Sequence, residues 1–580
     1  MFLAGPYDLK EAPLIREMYL GRDVLLYGKS ADIPYDFEAD NFQSLLDRIP
    51  SNQSIDFLLF VCPEFFGVPV GIERAPFPVI GVSSDWSINL EALVKIAPFF
   101  SYLVVDRPGF NTFQDFGFQN ATYVPLYGYS PTLYQWMPEI KKSYDITMIG
   151  NLNDVVHDKR AFYLKRLAML SSQYNITFVS GIYGKDYTRL LNASKITFNH
   201  SIRGEMNMRC YEALACGSLL FLEETNVEAK LYLQDKVHCI YYNEQNLEEL
   251  VHYYLSHDDE RDTISKNGRI FVQDHSYARQ IDRLLKRIEE VKEGRLLRTP
   301  PQAAQWSEGQ KAHARYFHSL HTSEISRCEP ARQAMLLLSP DEPCYNFLAG
   351  YLALQYSDAA PTSERKRYWE QAVECFNQAV QRQPFFPPLY FNFGKALLKL
   401  NRHKEAIEKL WIGVALSKTW DSTHEEFGSL LYPIDYDAWH VEKERQFKDK
   451  KNLGGLLTAR CFDALGDAAM ATGNFNGAIN FYQQALESKM NESEISKKLG
   501  DAFEKIDDQQ GRIQAYEHAL EKRPFYIEVW KILPRLYLAA GEKNKLQDFS
   551  KEIVKLINAF PGLTSLKSEF EDWLDLAKTA

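Results

Sequence analysis

The sequence predicts an α/β region made of two parallel-sheet units, followed by an all-α solenoid of helical repeats. Three observations support this fold class. The chain has 580 residues, 45% of them apolar, which is enough for several hydrophobic cores at roughly 100–200 residues each. Up to about residue 300, short β-branched or aromatic runs alternate with helix-period segments, as expected of parallel strands joined by crossover helices. From about residue 343 only helical patterns occur, and they repeat.

The predicted strands fall into two sets. Proline and glycine residues between positions 125 and 131 break the pattern, so the boundary between the sets is expected near 126–145. We expect each set to form a Rossmann-like unit, the first over residues 1–140 and the second over 141–295. The predicted strands are Val24–Tyr27, Ile55–Val61, Val79–Val82 and Tyr102–Val105, then Ile146–Ile149, Ile176–Ser180, Lys195–Asn199, Ser218–Leu222 and Cys239–Tyr242.

The ends of the two units carry weaker signals. One helix over Ile264–Ile288 is expected to close the second unit, and residues 296–342 predict a linker with one or two helices. Only about 25 residues precede the first predicted strand, so the first sheet is expected to be small. Its glycine-rich first loop is not evident unless Ala4-Gly5-Pro6 is a remnant of it.

Equivalent positions, most of them small residues, recur at fixed offsets over residues 343–580. Ala372 and Ala406 are 34 residues apart, as are Ala478 and Arg512, and glycines precede the last three of these positions by twelve residues. The pattern resembles the tetratricopeptide repeat (TPR), in which small residues let two antiparallel helices approach closely. Such a solenoid holds extended peptides or a partner helix, so a protein partner is expected. The alternative is an all-α domain with coincidental spacing.

Composition excludes several classes of function. The net charge is −11 and no basic tail is present, which disfavours a protein that neutralises nucleic-acid phosphates. The longest apolar runs fall well short of the ~20 residues that span a bilayer, and the N-terminus lacks the pattern of an export signal. The eight cysteines include no CxxC pair, so neither a structural zinc site nor a disulfide framework is expected. These features favour a cytoplasmic protein.

The densest polar cluster of the α/β region covers residues 199–217. A helix is expected to begin there near Asn207, directly after a strand. In an open parallel sheet, ligands bind at the carboxyl ends of strands, and a helix N-terminus offers N–H groups to a phosphate. Arg203 and Arg209 add guanidinium groups suited to phosphate contact, and Glu212 is placed to accept hydrogen bonds from a ribose. The alternative is a solvated helix face with a buried Arg–Glu pair that ties the loop to the helix.

Three segments of the α/β region resemble one enzyme family. They are Tyr187–Leu220, Asp145–Asn153 and His275–Tyr277. Together they look like the CgeB-like glycosyltransferase family, which has the GT-B architecture of two Rossmann-like units, and the likeness covers roughly residues 55–290. The resemblance implies transfer of a sugar from a UDP- or GDP-linked donor. It also implies that the second unit holds the donor and the first unit the acceptor.

The resemblance also implies roles for single residues. Related enzymes hold the sugar and the ribose with a Glu-x₇-Glu motif; Glu205 and Glu212 lie one residue closer together, so the ribose role falls to Glu212 and the sugar role to Glu205. The glycine after the first donor-unit strand faces the diphosphate, and this corresponds to Gly150 and Asn151. An ordinary strand-ending turn is the alternative for residues 150–153. The expected donor-binding residues are Gly150, Asn151, Asn153, Arg203, Glu205, Asn207, Arg209 and Glu212.

The first unit offers two carboxylates for catalysis. An inverting transfer needs a base that accepts the proton of the acceptor hydroxyl, and Asp85 and Glu64 each follow a predicted strand at the cleft. Asp85 is the first candidate and Glu64 the second; capping of a helix that begins near Trp86 is the alternative role for Asp85. For His200 and His275, packing is the alternative to a role in the site.

Several other chemistries lack their motifs. No Asp-x-Asp follows a strand in this region, so no metal is expected, and the arginines and the helix end are expected to meet the charge of the leaving group. No cofactor other than the donor is expected, since Walker and GxGxxG patterns are absent. The leading interpretation is a glycosyltransferase whose repeats present a protein acceptor. Two alternatives stay open: an inactive glycosyltransferase-like TPR scaffold that mediates protein–protein interaction, and an enzyme with a small-molecule or polysaccharide acceptor whose repeats serve oligomerisation.

Overall fold

The architecture was analysed in a computed structural model, which describes residues 1–10, 15–36, 39–87, 90–294, 301–322, 328–421, 426–432, 453–487 and 492–579. The predicted fold class is confirmed: two parallel sheets come first, and helices follow them. Within these ranges no helix is both long enough and apolar enough to cross a membrane.

The first sheet contains seven strands in the described part of the chain, and all its pairings are parallel. The strand order is β3-β2-β1-β4-β5-β6-β7, so the order reverses between β1 and β4 and makes a topological switch point there. The strands are β1 Phe2–Gly5, β2 Val24–Gly28, β3 Ile33–Pro34, β4 Leu58–Val61, β5 Val79–Ser83, β6 Tyr102–Val105 and β7 Ala121–Tyr123. The helices are α1 Ile15–Met18, α2 Phe42–Asp47, α3 Leu90–Ile96 and α4 Arg107–Asp115.

The strand β1 corrects the expectation of a small first sheet. It lies at the centre of the sheet, between β2 and β4, and all four of its residues are buried. Gly5 ends it at a point of close approach, because a Cβ there would lie 2.3 Å from the carbonyl oxygen of Tyr27. The Ala4-Gly5-Pro6 segment is therefore the end of the first strand and the start of the first loop. The strands β3 and β7 were likewise not predicted.

The second sheet has five described strands in the order β12-β11-β10-β8-β9, with the switch point between β8 and β10. All five predicted strands of this unit are present within a few residues of their expected bounds. They are β8 Tyr144–Ile149, β9 Ile176–Val179, β10 Ser194–Phe198, β11 Leu219–Glu223 and β12 Ile240–Tyr242. The helices are α5 Asp158–Ala168, α6 Gly184–Asn192, α7 Met208–Ala215, α8 Leu247–Ser256 and α9 Asp258–Val272.

The single closing helix expected over Ile264–Ile288 is in fact two. The helix α9 ends at Val272 and α10 spans Tyr277–Glu293. The chain turns between them because the Ser276 side chain accepts a hydrogen bond from the Arg279 amide and caps α10. The new direction takes α10 back to the first unit, where its apolar face packs in the core formed by β1, β4 and β6.

Thirteen helices follow in the described ranges; the first two lie in the predicted linker, and those after residue 343 lie in the region of the predicted repeats. Each glycine singled out in the sequence lies against the large residue of the paired helix: a Cβ on Gly466 would be 2.3 Å from Tyr482, and one on Gly500 2.4 Å from Tyr516. The helices are α11 Glu308–Thr322, α12 Cys328–Met335, α13 Tyr345–Ala359, α14 Thr362–Arg382, α15 Pro387–Lys399, α16 His403–Ser417, α17 Leu453–Ala471, α18 Phe475–Leu486, α19 Glu492–Lys505, α20 Gln509–Lys522, α21 Ile527–Ala539, α22 Lys543–Ala559 and α23 Lys567–Thr579.

The helical array contacts both sheet units. At its start, α11 packs on α3, and Arg315 of α11 forms a buried ion pair with Glu73 at 2.6 Å. At its end, Trp530 and Phe560 enter the same hydrophobic core as Phe178 of the second sheet. Residues 301–322 therefore pack against the first unit as well as connecting the two regions.

Candidate functional site

The predicted donor loop lies at the switch point of the second sheet. It leaves β10, passes through residues 199–207 and enters α7, with β8 as the neighbouring strand. As expected from the sequence, Asn207 is the N-cap of α7, and Gly217 follows the helix with a φ of +69°. Because strands that run in parallel end at one edge, this loop and the loop after β8 face the same space.

Arg209 is the cation at the centre of this edge. Its Nε donates to the carbonyl oxygen of Ile149 at 2.6 Å, and its Nη1 donates to Oδ1 of Asn199 at 2.5 Å. The guanidinium lies across Gly150, where an added Cβ would be 2.0 Å from Nη2. The φ of Gly150 is +153°, which also disfavours other residues. Gly150 is therefore needed to let the arginine reach the end of β8.

The side chains of Asn151 and Asn153 order the loop that follows Gly150. Oδ1 of Asn151 accepts from the Asn153 amide at 2.9 Å, and Oδ1 of Asn153 accepts from the Val155 amide at 2.9 Å. Both are local turn interactions of the kind that asparagine favours. The hydrogen bonds of these two side chains are those of an ordinary strand-ending turn, the alternative interpretation of residues 150–153.

A second arginine joins the same edge from α5. Arg160 donates from Nη1 to the carbonyl oxygen of Asn151 and from Nε and Nη2 to that of His200, so it links the loops after β8 and β10. Burial, together with the neighbouring charge of Arg209, lowers the pKa of Arg160 to about 9. Arg160 remains a cation at neutral pH, so the switch point holds two positive charges.

Arg203 and Glu205 lie within the loop itself. The Glu205 carboxylate accepts from the amides of Ile202 at 3.1 Å and Arg203 at 2.7 Å. Nη1 of Arg203 donates to the carbonyl oxygen of Ile202 at 3.2 Å. The conformation of the turn therefore depends on Glu205, whose predicted contact with a sugar stays a prediction.

Glu212 lies on α7 and is buried, with 4% of its surface exposed. Its Oε2 accepts from the hydroxyl of Tyr187 at 2.5 Å, and Tyr134 also hydrogen-bonds to it. Burial raises the pKa of Glu212. Two tyrosine hydroxyls thus make the hydrogen bonds to Glu212 that are expected of a ribose, so a bound ribose would have to displace them.

On the first unit, Glu64 orients Asp85. Glu64 follows β4 and is buried, and its Oε1 accepts from the amides of Ser84 at 2.9 Å and Asp85 at 2.8 Å. These bonds hold the turn after β5, so Glu64 has a positioning role in this arrangement. The expected alternative for Asp85, a helix cap near Trp86, is wrong, because the next described helix begins at Leu90. The Asp85 carboxylate hydrogen-bonds instead to Tyr127.

Asp85 faces the second unit across a cleft. Burial, together with the charges of Glu64 and Glu205, raises the pKa of Asp85 to about 7. The loops after β5 and β10 are thus close enough for their carboxylates to interact. A second link between the units joins the hydroxyls of Tyr123 and Tyr232 at 2.8 Å.

Two further carboxylates line this interface. Asp106 caps α4 and accepts from the Gly109 amide at 2.7 Å and from Nε1 of Trp86 at 2.8 Å. Glu228 was missed in the sequence, since it lies outside any strand end; it accepts from the Met206 amide at 2.8 Å, and burial raises its pKa to about 7. The cleft therefore contains several buried carboxyl groups whose raised pKa values keep them protonated close to neutral pH.

The two histidines near the site are packing residues. Nδ1 of His200 lies 2.9 Å from the hydroxyl of Tyr242, and burial lowers the pKa of His200 to about 3. His275 stacks on Phe271 with 4.3 Å between ring centroids, and burial lowers its pKa. Neither imidazole is placed by the structure as a base.

In the described helices, one group of side chains has the composition of a metal site. The ligand atoms of His313, Glu342 and Cys344 lie within 4.8 Å of one another. Nε2 of His313 is 2.7 Å from Glu342, and its other ring nitrogen is 3.6 Å from Glu426. Burial alone would lower the pKa of His313, but its bonds with Cys344 and Glu426 raise it to about 10. A protonated imidazole between two carboxylates is an ion pair, and it has no lone pair to offer a metal.

Comparisons with known proteins agree with this two-part organisation. A family model described as glycosyl transferase-like matches residues 134–286, and a tetratricopeptide repeat model matches residues 464–527. An uncharacterized protein of Methanocaldococcus jannaschii is 38% identical over 60 residues, which are 10% of this chain and 67% of that protein.

Solved structures similar to parts of the chain have low identity to it. Sucrose-phosphate synthase from Thermosynechococcus elongatus is 11% identical with a TM-score of 0.36, and the match covers 50% of this chain and 98% of that one. Anabaena HepE in complex with UDP and glucose is 12% identical with a TM-score of 0.37, covering 50% and 99%. MamA is 16% identical with a TM-score of 0.24, covering 34% and 95%. By its two family matches, the chain carries a glycosyl transferase-like domain followed by a tetratricopeptide repeat region.

Proposed function

We propose that this chain is a metal-independent glycosyltransferase of the GT-B, CgeB-like type, which moves a sugar from a UDP- or GDP-linked donor to an acceptor hydroxyl. The acceptor is a protein that the tetratricopeptide repeats present. One observation carries the proposal: the charge of Glu205, in the loop that leads into α7, acts on the carboxyl group of Asp85 in the first unit. A carboxylate that titrates near neutral pH thus shares a cleft with the loop expected to hold the donor.

The donor side supplies positive charge for the diphosphate. Arg209 and Arg160 lie where β8 and β10 end, next to the N-terminus of α7. Among the described residues Nη2 of Arg209 makes no hydrogen bond, whereas its Nε and Nη1 are engaged by the protein. Two fixed cations and a helix N-terminus stabilise the negative charge that develops on a nucleoside diphosphate as it leaves.

The acceptor side supplies the base. In a direct displacement, the acceptor oxygen attacks the anomeric carbon, its proton passes to the Asp85 carboxylate, and the bond from that carbon to the diphosphate breaks. A base works best when its pKa lies near the operating pH, and the pKa of Asp85 is raised to about 7. Glu64 keeps the Asp85 turn in place through two amide hydrogen bonds.

A second function is favoured by a specific observation. The carboxylates of Glu205 and Glu212 already accept hydrogen bonds from protein groups. A glycosyltransferase-like scaffold that binds proteins and no longer binds a donor would retain such internal bonds. The two functions differ in whether the full chain binds a nucleotide.

Nucleotide binding by the full-length chain tests the proposal. UDP or GDP is expected to raise the melting temperature of the wild type, and Arg209→Ala and Arg209→Lys are expected to lose most of that rise, since the guanidinium fork is replaced. Arg189→Ala is the matched control, because Arg189 is an exposed arginine on α6 of the same unit. If neither nucleotide shifts the wild type, the scaffold function is correct and the enzyme proposal is wrong.

A further inference from the structure

A cavity of about 280 Å³ lies at the switch point of the first sheet. One wall is formed by the ends of β4 and β5 and by residues 124–127, and the opposite wall by α1 and α10. The second unit closes it with the first residue of α7. Its lining includes Met18, Val61, Val82, Leu126, Met208 and Leu284.

The lining of the cavity is uncharged. None of the described residues that line it is Asp, Glu, Lys or Arg. The hydroxyls of Tyr7 and Tyr19 face each other at 2.8 Å, and burial raises the pKa of Tyr19 to about 12, so these phenols stay neutral. A phosphate, carboxylate or ammonium group would lose its hydration here without gaining a partner. The cavity therefore selects an apolar group.

The cavity lies next to the proposed base. Ser84 lines it, and Asp85 is the following residue. Tyr127 also lines it and hydrogen-bonds to the Asp85 carboxylate. An acceptor whose hydroxyl reaches Asp85 consequently has the atoms beside that hydroxyl within reach of the cavity.

We propose, resting on the proposed function, that this cavity is the specificity site for the acceptor: it binds the apolar side chain of a residue next to the serine or threonine that receives the sugar. Its volume is at the lower end of small-molecule pockets, which hold about 300–1,000 Å³, so it accommodates one side chain and not a long lipid. A polypeptide is the occupant because the chain carries tetratricopeptide repeats whose array contacts both units.

Peptide binding to the full-length chain tests this inference. Two fluorescein-labelled hexapeptides are compared by anisotropy, one with Ser-Phe and one with Ser-Lys at its centre. The Ser-Phe peptide is expected to bind roughly tenfold tighter or more, because burial of one large apolar side chain contributes about that much. Met18→Trp fills the cavity and is expected to abolish the preference. Leu20→Trp is the matched control, since Leu20 is 78% exposed just beyond α1, and it is expected to keep the preference.

The inference is wrong if the two peptides bind equally, if neither binds, or if the preference survives Met18→Trp. Transfer of sugar to an alkyl alcohol such as dodecanol, with no preference among peptides, would also overturn it. Peptide binding is measured without donor, so it is independent of the nucleotide-induced melting shift. Absence of that shift rejects the proposed enzyme, whereas a normal shift with no peptide preference rejects only the acceptor site.

Discussion

Replacing Arg523 tests whether the helical array holds the loop that carries Gly150. Asp154 lies in that loop, and its side chain is 6% exposed. One of its oxygens accepts from Nε of Arg523 at 3.1 Å, and the other accepts from the amide of Phe525 at 3.1 Å. Both partners follow α20, so a buried carboxylate beside the candidate donor site is satisfied by the array.

The size of the effect follows from these bonds. Arg523→Ala removes one charge-assisted hydrogen bond and leaves the buried Asp154 with the Phe525 amide. Loss of a bond to a buried charged group costs roughly 1.5–3 kcal/mol. A change of about 2 kcal/mol in the free energy of local opening corresponds to roughly 30-fold faster amide exchange in the loop.

Hydrogen exchange of the full chain, followed on peptides that cover residues 150–156, measures this directly. Arg535→Ala is the control, because Arg535 is an exposed arginine on α21 of the same region. A double-mutant cycle with Asp154→Ala adds a second check: if the two side chains interact, the double variant opens little more easily than either single one. Strictly additive effects, or equal loop exchange in Arg523→Ala and wild type, would refute this account.

Four other outcomes are expected. If Asp85 is the base, transfer of a radiolabelled sugar should increase as pH rises through about 7, and Asp85→Asn should be nearly inactive at every pH; a wild-type profile that is flat between pH 5.5 and 8.5 would contradict this. Between about pH 4 and 7, Asp85 is protonated in the folded chain and ionised in the unfolded chain. Because of this group, the free energy of unfolding therefore decreases as pH rises through that range. Asp85→Asn should therefore melt at a higher temperature than wild type at pH 8, with little difference at pH 4.5. Gly150→Ala should abolish the nucleotide-induced melting shift, because the added methyl group displaces the neighbouring guanidinium. Gly466→Ala should overpack the contact between two helices, which lowers the free energy of unfolding by roughly 1–3 kcal/mol and with it the melting temperature. Gly562→Ala, which has open space around it, is the control for both glycine variants and should match wild type.

Local patterns predicted most of the elements. The glycine at each repeat and the N-cap at Asn207 are recognisable because a helix boundary or a helix–helix contact depends on residues close in sequence. The strand β1 was missed because four residues with a glycine carry little β-propensity, although the strand is central. The break at Ser276 was missed because a polar residue also fits the exposed face of one continuous helix.

The site was harder to predict than the fold. The residue types of Arg209 and Asp85 and their positions near predicted strand–helix junctions predicted a donor edge and a base, and both roles remain proposals. Their hydrogen-bond partners come from elsewhere in the chain: Glu212 bonds to tyrosines from other segments, and Asp85 meets Glu205 only after the two units pack together. No spacing in the sequence encodes these contacts, because they arise from the relative placement of whole sheets.

The attachment of the helical array at both ends has a mechanical consequence. Because α11 packs on the first unit and α22 packs on the second, the helical array connects the two sides of the cleft. Widening the cleft therefore requires the helical array to bend, and a solenoid bends by small adjustments between neighbouring repeats. If a protein binds along the repeats as proposed, it would stiffen the array and resist widening of the cleft, so that binding at the repeats and closure around the donor sugar would be coupled through elasticity rather than through a shared pocket.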